Sequence, residues 1–259
     1  MAPASDLSFQ LYSSRNFPPL IDQLRTLKAL GYANVEPYGG LYGDLEALKA
    51  GLDETGLTAR SGHFALDLLR DDLDGAVRIA ERLGMELIVA PYLDAARRPA
   101  DAAGWQALAA DLAKIAAALR ARGYGFAWHN HDFEFVALSD GSLPIDHILA
   151  APGVDLELDL AWVLKAGASP RAFLAKAAGR IAAVHVKDVA PSGENAAEDG
   201  WADVGAGVMD WPSLYGAALA PGPRLMIVEH DNPSDFRRFA AASAEAVRGF
   251  ASVPSARTA

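Results

Sequence analysis

The residues of this chain best suited to chemistry stand out by type and spacing. His129 and His131 lie two apart after a short apolar run, in Trp128-His129-Asn130-His131-Asp132-Phe133-Glu134-Phe135. Residues i and i+2 of a strand point to one face, so both imidazoles would enter the same space. The same pairing recurs in three later apolar runs: Glu157 with Asp159, His185 with Lys187, and Glu229 with Asp231. Carboxylates and imidazoles from neighbouring strands make a site for a hard-to-borderline divalent ion. Asp159, His185 and Glu229 are the natural trio, with His129 or His131 as fourth ligand. Buried charge of this density is costly without a metal or ion pairing. Lys187 with Glu157 or Asp231 would offset part of it.

Positioning such residues requires strands that start apolar and end polar. The pattern predicts strands over 7–12, 33–37, 57–64, 86–92, 124–129, 155–159, 181–188 and 225–231. Helices are predicted over 18–30, 44–55, 71–83, 105–122, 144–149, 170–178, 212–218 and 235–250, several stopped by a glycine such as Gly31, Gly56 or Gly84. A long polar loop is expected over 191–210. Regular strand–helix alternation argues for parallel strands with crossover helices. Eight units close a (β/α)8 TIM barrel, whose active site sits at the C-terminal ends of the strands. Four of the six histidines, His63, His129, His131 and His185, fall at such ends. By parity, His185 and Lys187 share the inner face with Ile181 and Ala183, and Glu229 and Asp231 share it with Leu225 and Ile227. One barrel domain over 1–251 is expected, with a flexible tail over 252–259.

Other residues carry two readings. Glu36 either caps its strand or reaches substrate, and His63 is either a loop histidine or a site residue. Trp162 is a sugar-stacking platform or packing under the rim. Glu157 reads as an ion-pair partner, not a ligand. Asp132 and Glu134 lie past the strand end, where they solvate a loop unless they serve the site. His147 and His230 read as structural. Gly205-Ala206-Gly207 does not directly follow a strand, so it is no dinucleotide-binding signature.

Composition narrows the class. The 259 residues carry 23 Lys and Arg against 33 Asp and Glu, a net charge of −10. That opposes nucleic-acid and anionic-membrane binding. There is no cysteine, so thiolate chemistry and disulfides are out. The N-terminus lacks a basic and then apolar leader, and no apolar run is long enough to span a bilayer. The cytoplasm is the expected compartment, a small molecule the expected partner, and a homo-oligomer is compatible with the sequence.

Taken together, the chain resembles the sugar phosphate isomerase/epimerase family, the xylose isomerase-like barrels that also include the type IV apurinic endonucleases. The resemblance spans essentially the whole chain. It rests on His129 to Phe135, Glu157-Leu158-Asp159, Val184-His185-Val186-Lys187-Asp188, the turn from Val204-Gly205-Ala206-Gly207 to Asp210-Trp211, and Val228-Glu229. It implies a divalent metal (Mn, Mg, Co or Zn) held by Asp159, His185, Glu229 and a strand-five residue. That fourth ligand is usually Glu in the family, and the matching position here is His129. It also implies proton abstraction next to a sugar carbonyl through a metal-stabilised enediolate. Glu229 or His131 would be the base, Lys187 or His63 would polarise an oxygen, and Glu36, Trp162 and Asp231 would contact substrate. The family's ketose 3-epimerases use two metal-binding glutamates as bases; this chain keeps one. The variant stretch resembles a subgroup linked to 3-keto-sugar and inositol-type chemistry, so a keto-sugar or inosose-like dehydratase or hydratase is the alternative. An apurinic endonuclease would need more ligands, and Trp162 stands where that branch carries a further His. A non-catalytic sugar-binding barrel is the remaining reading. An obvious phosphate cradle is missing, which favours a free sugar or glycoside-derived keto-sugar.

Overall fold

A computed structural model describes residues 7–252. The eight apolar runs form parallel strands: β1 (Leu7–Gln10), β2 (Asn34–Glu36), β3 (Ser61–His63), β4 (Leu87–Ala90), β5 (Gly125–His129), β6 (Asp155–Asp159), β7 (Ile181–Val186) and β10 (Leu225–Val228). They pair in the order β2-β1-β10-β7-β6-β5-β4-β3. The two end strands meet through a single bridge, Asn34 to Thr58. The His63 N–H also donates to the Pro37 carbonyl at 2.9 Å. The sheet therefore closes nearly completely, as an (β/α)8 TIM barrel. Strand three is shorter than expected because Thr58 makes only that isolated bridge before Ser61 enters the ladder.

The helices surround this barrel: α1 (Leu20–Ala29), α2 (Leu45–Thr55), α3 (Leu66–Asp71), α4 (Leu73–Leu83), α5 (Ala102–Arg120), α6 (Pro144–Ala150), α7 (Leu160–Lys165), α8 (Pro170–Lys176), α9 (Trp211–Leu219) and α10 (Phe236–Ser252). The predicted third helix, over 71–83, is α4, and the short α3 before it is an addition. Asp72 separates the two, and its carboxylate accepts the Gly75 N–H at 2.8 Å to cap the start of α4. Gly84 then ends α4 in the left-handed conformation at φ 75°, which glycine adopts without a Cβ penalty. Helix α7 was not anticipated and follows Asp159 directly. The loop over 191–210 is structured: β8 (Asp188–Val189) and β9 (Trp201–Ala202) form an antiparallel hairpin across it. The expected tail falls outside the described residues, except for Ser252, which ends α10. Among the described residues no helix is long and apolar enough to cross a membrane.

The barrel interior is divided. Leu87, Val89, Ala127, Ala182, Ala183, Leu225 and Ile227 make a small inner apolar cluster. Ser8, Gln10, Asn34, Glu36, Ser61 and His63 on β1, β2 and β3 are buried polar residues. Strand β7 departs from simple parity. Its register against β6 runs Leu156↔Ile181 and then Glu157↔Ala183, so Ala182 is an extra residue. Ile181 thus joins the outer core beneath the helices, not the inner face, while Ala183 and His185 point inward beside Glu157 and Asp159.

Candidate metal centre

Each ligand candidate is held by its own local device. Asp159 ends β6 and caps α7. Its Oδ1 accepts the Ala161 and Trp162 N–H groups at 2.8 and 2.9 Å. Its Oδ2 is buried and has no hydrogen-bond partner. His185 stands opposite Asp159 in the ladder. Its Nδ1 lies 3.0 Å from Glu229 Oε2, and its Nε2 lies 3.0 Å from both Glu36 Oε1 and Glu157 Oε1. Glu229 follows β10, where its N–H donates to the Val186 carbonyl at 3.2 Å and extends the pairing by one step. His129 ends β5, with a buried Nδ1 that lies 3.2 Å from Glu157 Oε1.

One donor atom from each of His129, Asp159, His185 and Glu229 lies within 4.8 Å of the other three, and all four residues are buried. His131 is not in this set. Two imidazoles and two carboxylates suit a divalent ion of borderline hardness. Asp159 Oδ2 makes no hydrogen bond and has only the Lys187 ammonium nearby, at 3.8 Å; an acceptor left open beside two imidazoles and a second carboxylate is what a ligand set without its ion leaves, so the residues fit the metal. A deeper set, His63, His129, Glu157 and His185, shares two members. Its carboxylate is already met by imidazoles: Glu157 Oε1 lies 2.6 Å from His63, 3.0 Å from His185 and 3.2 Å from His129. The outer set, with two acids, is the better cation site.

Charge is tightly balanced around this centre. Burial pushes Asp159 up, and Glu229 adds to this, while Lys187 pulls it down. Burial also opposes ionisation of Glu229, yet Lys187 and His185 outweigh it and hold Glu229 well below the ordinary carboxylate range. Burial and then His185 keep His129 neutral. Burial alone would lower His63, but Glu36 and Glu157 reverse the effect and raise it to about 10. Lys187 is fully buried, with Nζ 2.8 Å from Asp231, 3.1 Å from Glu229 and 3.8 Å from Asp159. Burial opposes its charge, but Asp231 and Glu229 raise it well above an ordinary lysine. It is the counter-ion of three carboxylates, and its Nζ also sits 4.0 Å from the Trp201 ring centre.

Above the centre lies a cavity of about 620 Å³, lined among others by His63, His129, His131, Trp162, Glu229 and Asp231. His131 is wedged between Tyr92 and Trp162, with ring centres 5.2 and 5.1 Å away. Burial, with Lys187 adding, lowers it to about 3, so it is neutral at pH 7. Glu36, expected at substrate, is instead sealed beneath: it is 0% exposed. Its Oε1 accepts from Gln10 at 2.7 Å, and its Oε2 accepts from Ser61. Its place is to brace His185 and His63. Lys187 likewise acts from beneath the cavity wall.

Two residues matter more than their sequence positions suggested. Glu134, expected in a solvated loop, is 0% exposed. Its Oε1 accepts from Trp128 Nε1 at 2.8 Å and its Oε2 from the His131 N–H at 2.9 Å, which fixes the turn carrying both histidines. Asp188 gathers the loop after β7 by accepting from the Val189, Gly205 and Met209 N–H groups at 2.9, 2.9 and 3.0 Å. A Cβ on Gly207 would overlap the Asp188 carboxylate and the Val189 carbonyl, so this close approach requires glycine. The clue to Glu134 was an acid flanked by Phe133 and Phe135. His147 bonds only Ser142, at 3.0 Å, and His230 packs against Phe239 of α10, both away from the cavity wall.

Residues 24–251 match the xylose isomerase-like TIM barrel family. The chain belongs to that family. Among solved structures, it is similar to a sugar phosphate isomerase/epimerase from Parabacteroides distasonis, with 19% identity, 96% of each chain covered and a TM-score of 0.79. A probable 3-DHS dehydratase of petrobactin synthesis from Bacillus anthracis shares 12% identity over 94% of this chain and 98% of that one, at a TM-score of 0.73. The IOLI protein, solved with a zinc atom, shares 16% identity over 95% and 96% of the two chains, at 0.69. At these identities the likeness is one of fold. No curated protein sequence matches the chain.

Proposed function

We propose that this xylose isomerase-like barrel is a divalent-metal-dependent sugar isomerase or epimerase that removes a proton next to a carbonyl. The observation that carries this reading is the Asp159 carboxylate: one oxygen is spent on the α7 cap, and the other is buried, makes no hydrogen bond and is grouped with His129, His185 and Glu229. An ion held by these four would supply Lewis acidity to a sugar carbonyl and its neighbouring hydroxyl. The chain's own groups supply the proton chemistry. Glu229 is kept ionised by Lys187 and His185 and faces the cavity, so it can accept a proton as general base. His131 is neutral and also faces the cavity, with an unpartnered Nδ1, so it can accept a proton or orient a hydroxyl. His63, held as an imidazolium by Glu36 and Glu157, can donate a hydrogen bond to a developing oxyanion. Lys187 acts through Glu229 and Asp231, holding them charged and in place. Trp162 and Asp231 contribute cavity wall to the sugar.

A second reading is a keto-sugar dehydratase. It is favoured by the strand-five ligand position, where His129 replaces the second carboxylate base of a two-glutamate epimerase. Product analysis in D2O with the Mn2+-loaded protein and a panel of ketoses and 3-keto-glycosides separates them. Deuterium beside the carbonyl without loss of water supports isomerisation or epimerisation. A dehydrated product supports the lyase, and a panel with neither outcome refutes both.

A further inference from the structure

We propose that the cavity takes an uncharged sugar seated against aromatic rings and turns away phosphate esters. This rests on the sugar-isomerase reading and names its substrate class.

The first observation is where apolar surface is left in water. Among the described residues only four large hydrophobic side chains are exposed, and two of them, Tyr12 at 38% and Tyr92 at 44%, line this cavity. Tyr38 stands edge-on to Tyr12 at 5.2 Å, and Trp162 forms part of the wall near His131. Exposed rings around a cavity mark a binding surface, and flat rings with polar tips suit the apolar faces of a sugar.

The second observation is that the cations are already engaged. The lining carries Asp67, Asp94, Asp199, Asp231 and Glu229 against Arg15, Arg97 and His63, whose Nε2 is already paired with Glu36 and Glu157 at 3.1 and 2.6 Å. Arg97 makes a two-pronged pair with Asp67 at 2.6 and 2.7 Å. Arg15 stacks over the Tyr12 ring at 3.8 Å and donates to the carbonyls of Tyr12 and Asp231. A phosphate entering here meets five carboxylates, while of these cations Arg97 and His63 are paired with acids and Arg15 is held by two carbonyls.

The third observation concerns the place where barrels commonly bind phosphate, the loops after the last two strands and the helix start beside them. Here protein carboxylates fill that role. Asp235 accepts the Arg237 and Arg238 N–H groups at 2.8 and 3.0 Å, at the start of α10. Glu198 accepts the Ser234 N–H at 2.8 Å and the Arg238 guanidinium at 2.9 and 3.1 Å. The donors an anion would use are taken by the chain's own acids.

Saturation-transfer NMR on the full chain, with and without Mn2+, tests this with matched pairs: D-fructose and its 6-phosphate, D-xylulose and its 5-phosphate, methyl β-D-glucopyranoside and its 6-phosphate. The tightest ligand should be neutral, its ester should bind at least tenfold more weakly, and Tyr92→Ala should weaken the neutral sugar severalfold. An ester that binds as tightly as its parent sugar, or a panel in which no neutral sugar binds, overturns the proposal. A neutral sugar that binds but exchanges no proton in D2O supports it while removing the isomerase reading. An ester that binds tightest and exchanges does the reverse.

Discussion

The side chain of Asn130 grips the backbone of Asp159 at both ends: its Oδ1 accepts the Asp159 N–H at 3.0 Å, and its Nδ2 donates to the Asp159 carbonyl at 3.1 Å. The amide thereby acts as one more strand residue beyond the last β5–β6 pair, His129↔Glu157. It ties two residues of the proposed ligand set to each other through neither of their side chains. Asn130→Asp replaces the donor with a second acceptor facing a carbonyl. We expect a stability loss of about 1–3 kcal/mol and a fall in Mn2+ affinity of about 10- to 100-fold, read by thermal denaturation and titration calorimetry. Unchanged affinity would show that the grip does not position the ligands.

Asp159→Asn should separate the cap from the ligand. Asn still accepts the Ala161 and Trp162 N–H groups, so α7 is kept, but the anionic oxygen is gone. The variant should fold and retain less than about a tenth of the wild-type divalent metal on purification, with activity falling alongside. Elemental analysis and circular dichroism check this; full metal content in a folded variant would remove Asp159 from the ligand set.

Lys187→Met leaves Asp159, Glu229 and Asp231 without their shared counter-ion. Removing one partner of a buried ion pair costs about 3–5 kcal/mol. A divalent ion restores positive charge at the same carboxylates, so Mn2+ should raise the variant's Tm more than that of the wild type. Equal shifts would sink the idea that lysine and ion share the same acids.

Glu198 gives a pH signature away from the centre. Burial opposes its charge, but Ser234 and Arg238 outweigh burial and hold it down to about 2. A depressed carboxylate contributes stability above its unfolded value, near 4.3 for a free Glu. That contribution is lost as pH falls from there through about 2. Glu198→Gln should cost about 2 kcal/mol at pH 7 and flatten the acid limb of a urea-denaturation series over that window. A parallel offset between the two proteins across the window would argue against it.

Much of the barrel was legible because a period of two forces inward residues to alternate, so polar pairs at strand ends announce a shared mouth. His63, His129, His131, Asp159, His185 and Glu229 all lie at the cavity or in the ligand group below it. What escaped depends on chain reversal. Glu134 is three residues past His131 in sequence, yet the turn over 133–135 folds it back onto Trp128. Glu36 looked substrate-facing because it ends a strand, but the barrel closes above it. Nothing in the local pattern reports how deep a strand end lies. Ile181 was misassigned to the inner face because alternation counts residues, and a bulge adds one without altering composition.

That extra residue, Ala182, has a consequence for how the chain tolerates change. No proposed ligand comes from it, and the pairs on either side of it use consecutive residues of β6, Leu156 and Glu157. A deletion there would close the ladder without a slip: Ile181 still faces the helices, Ala183 still stands opposite Glu157, and His185 and Lys187 keep their side. Strand seven therefore carries one residue of slack, a position where its length can change by one while the histidine still meets the other ligands.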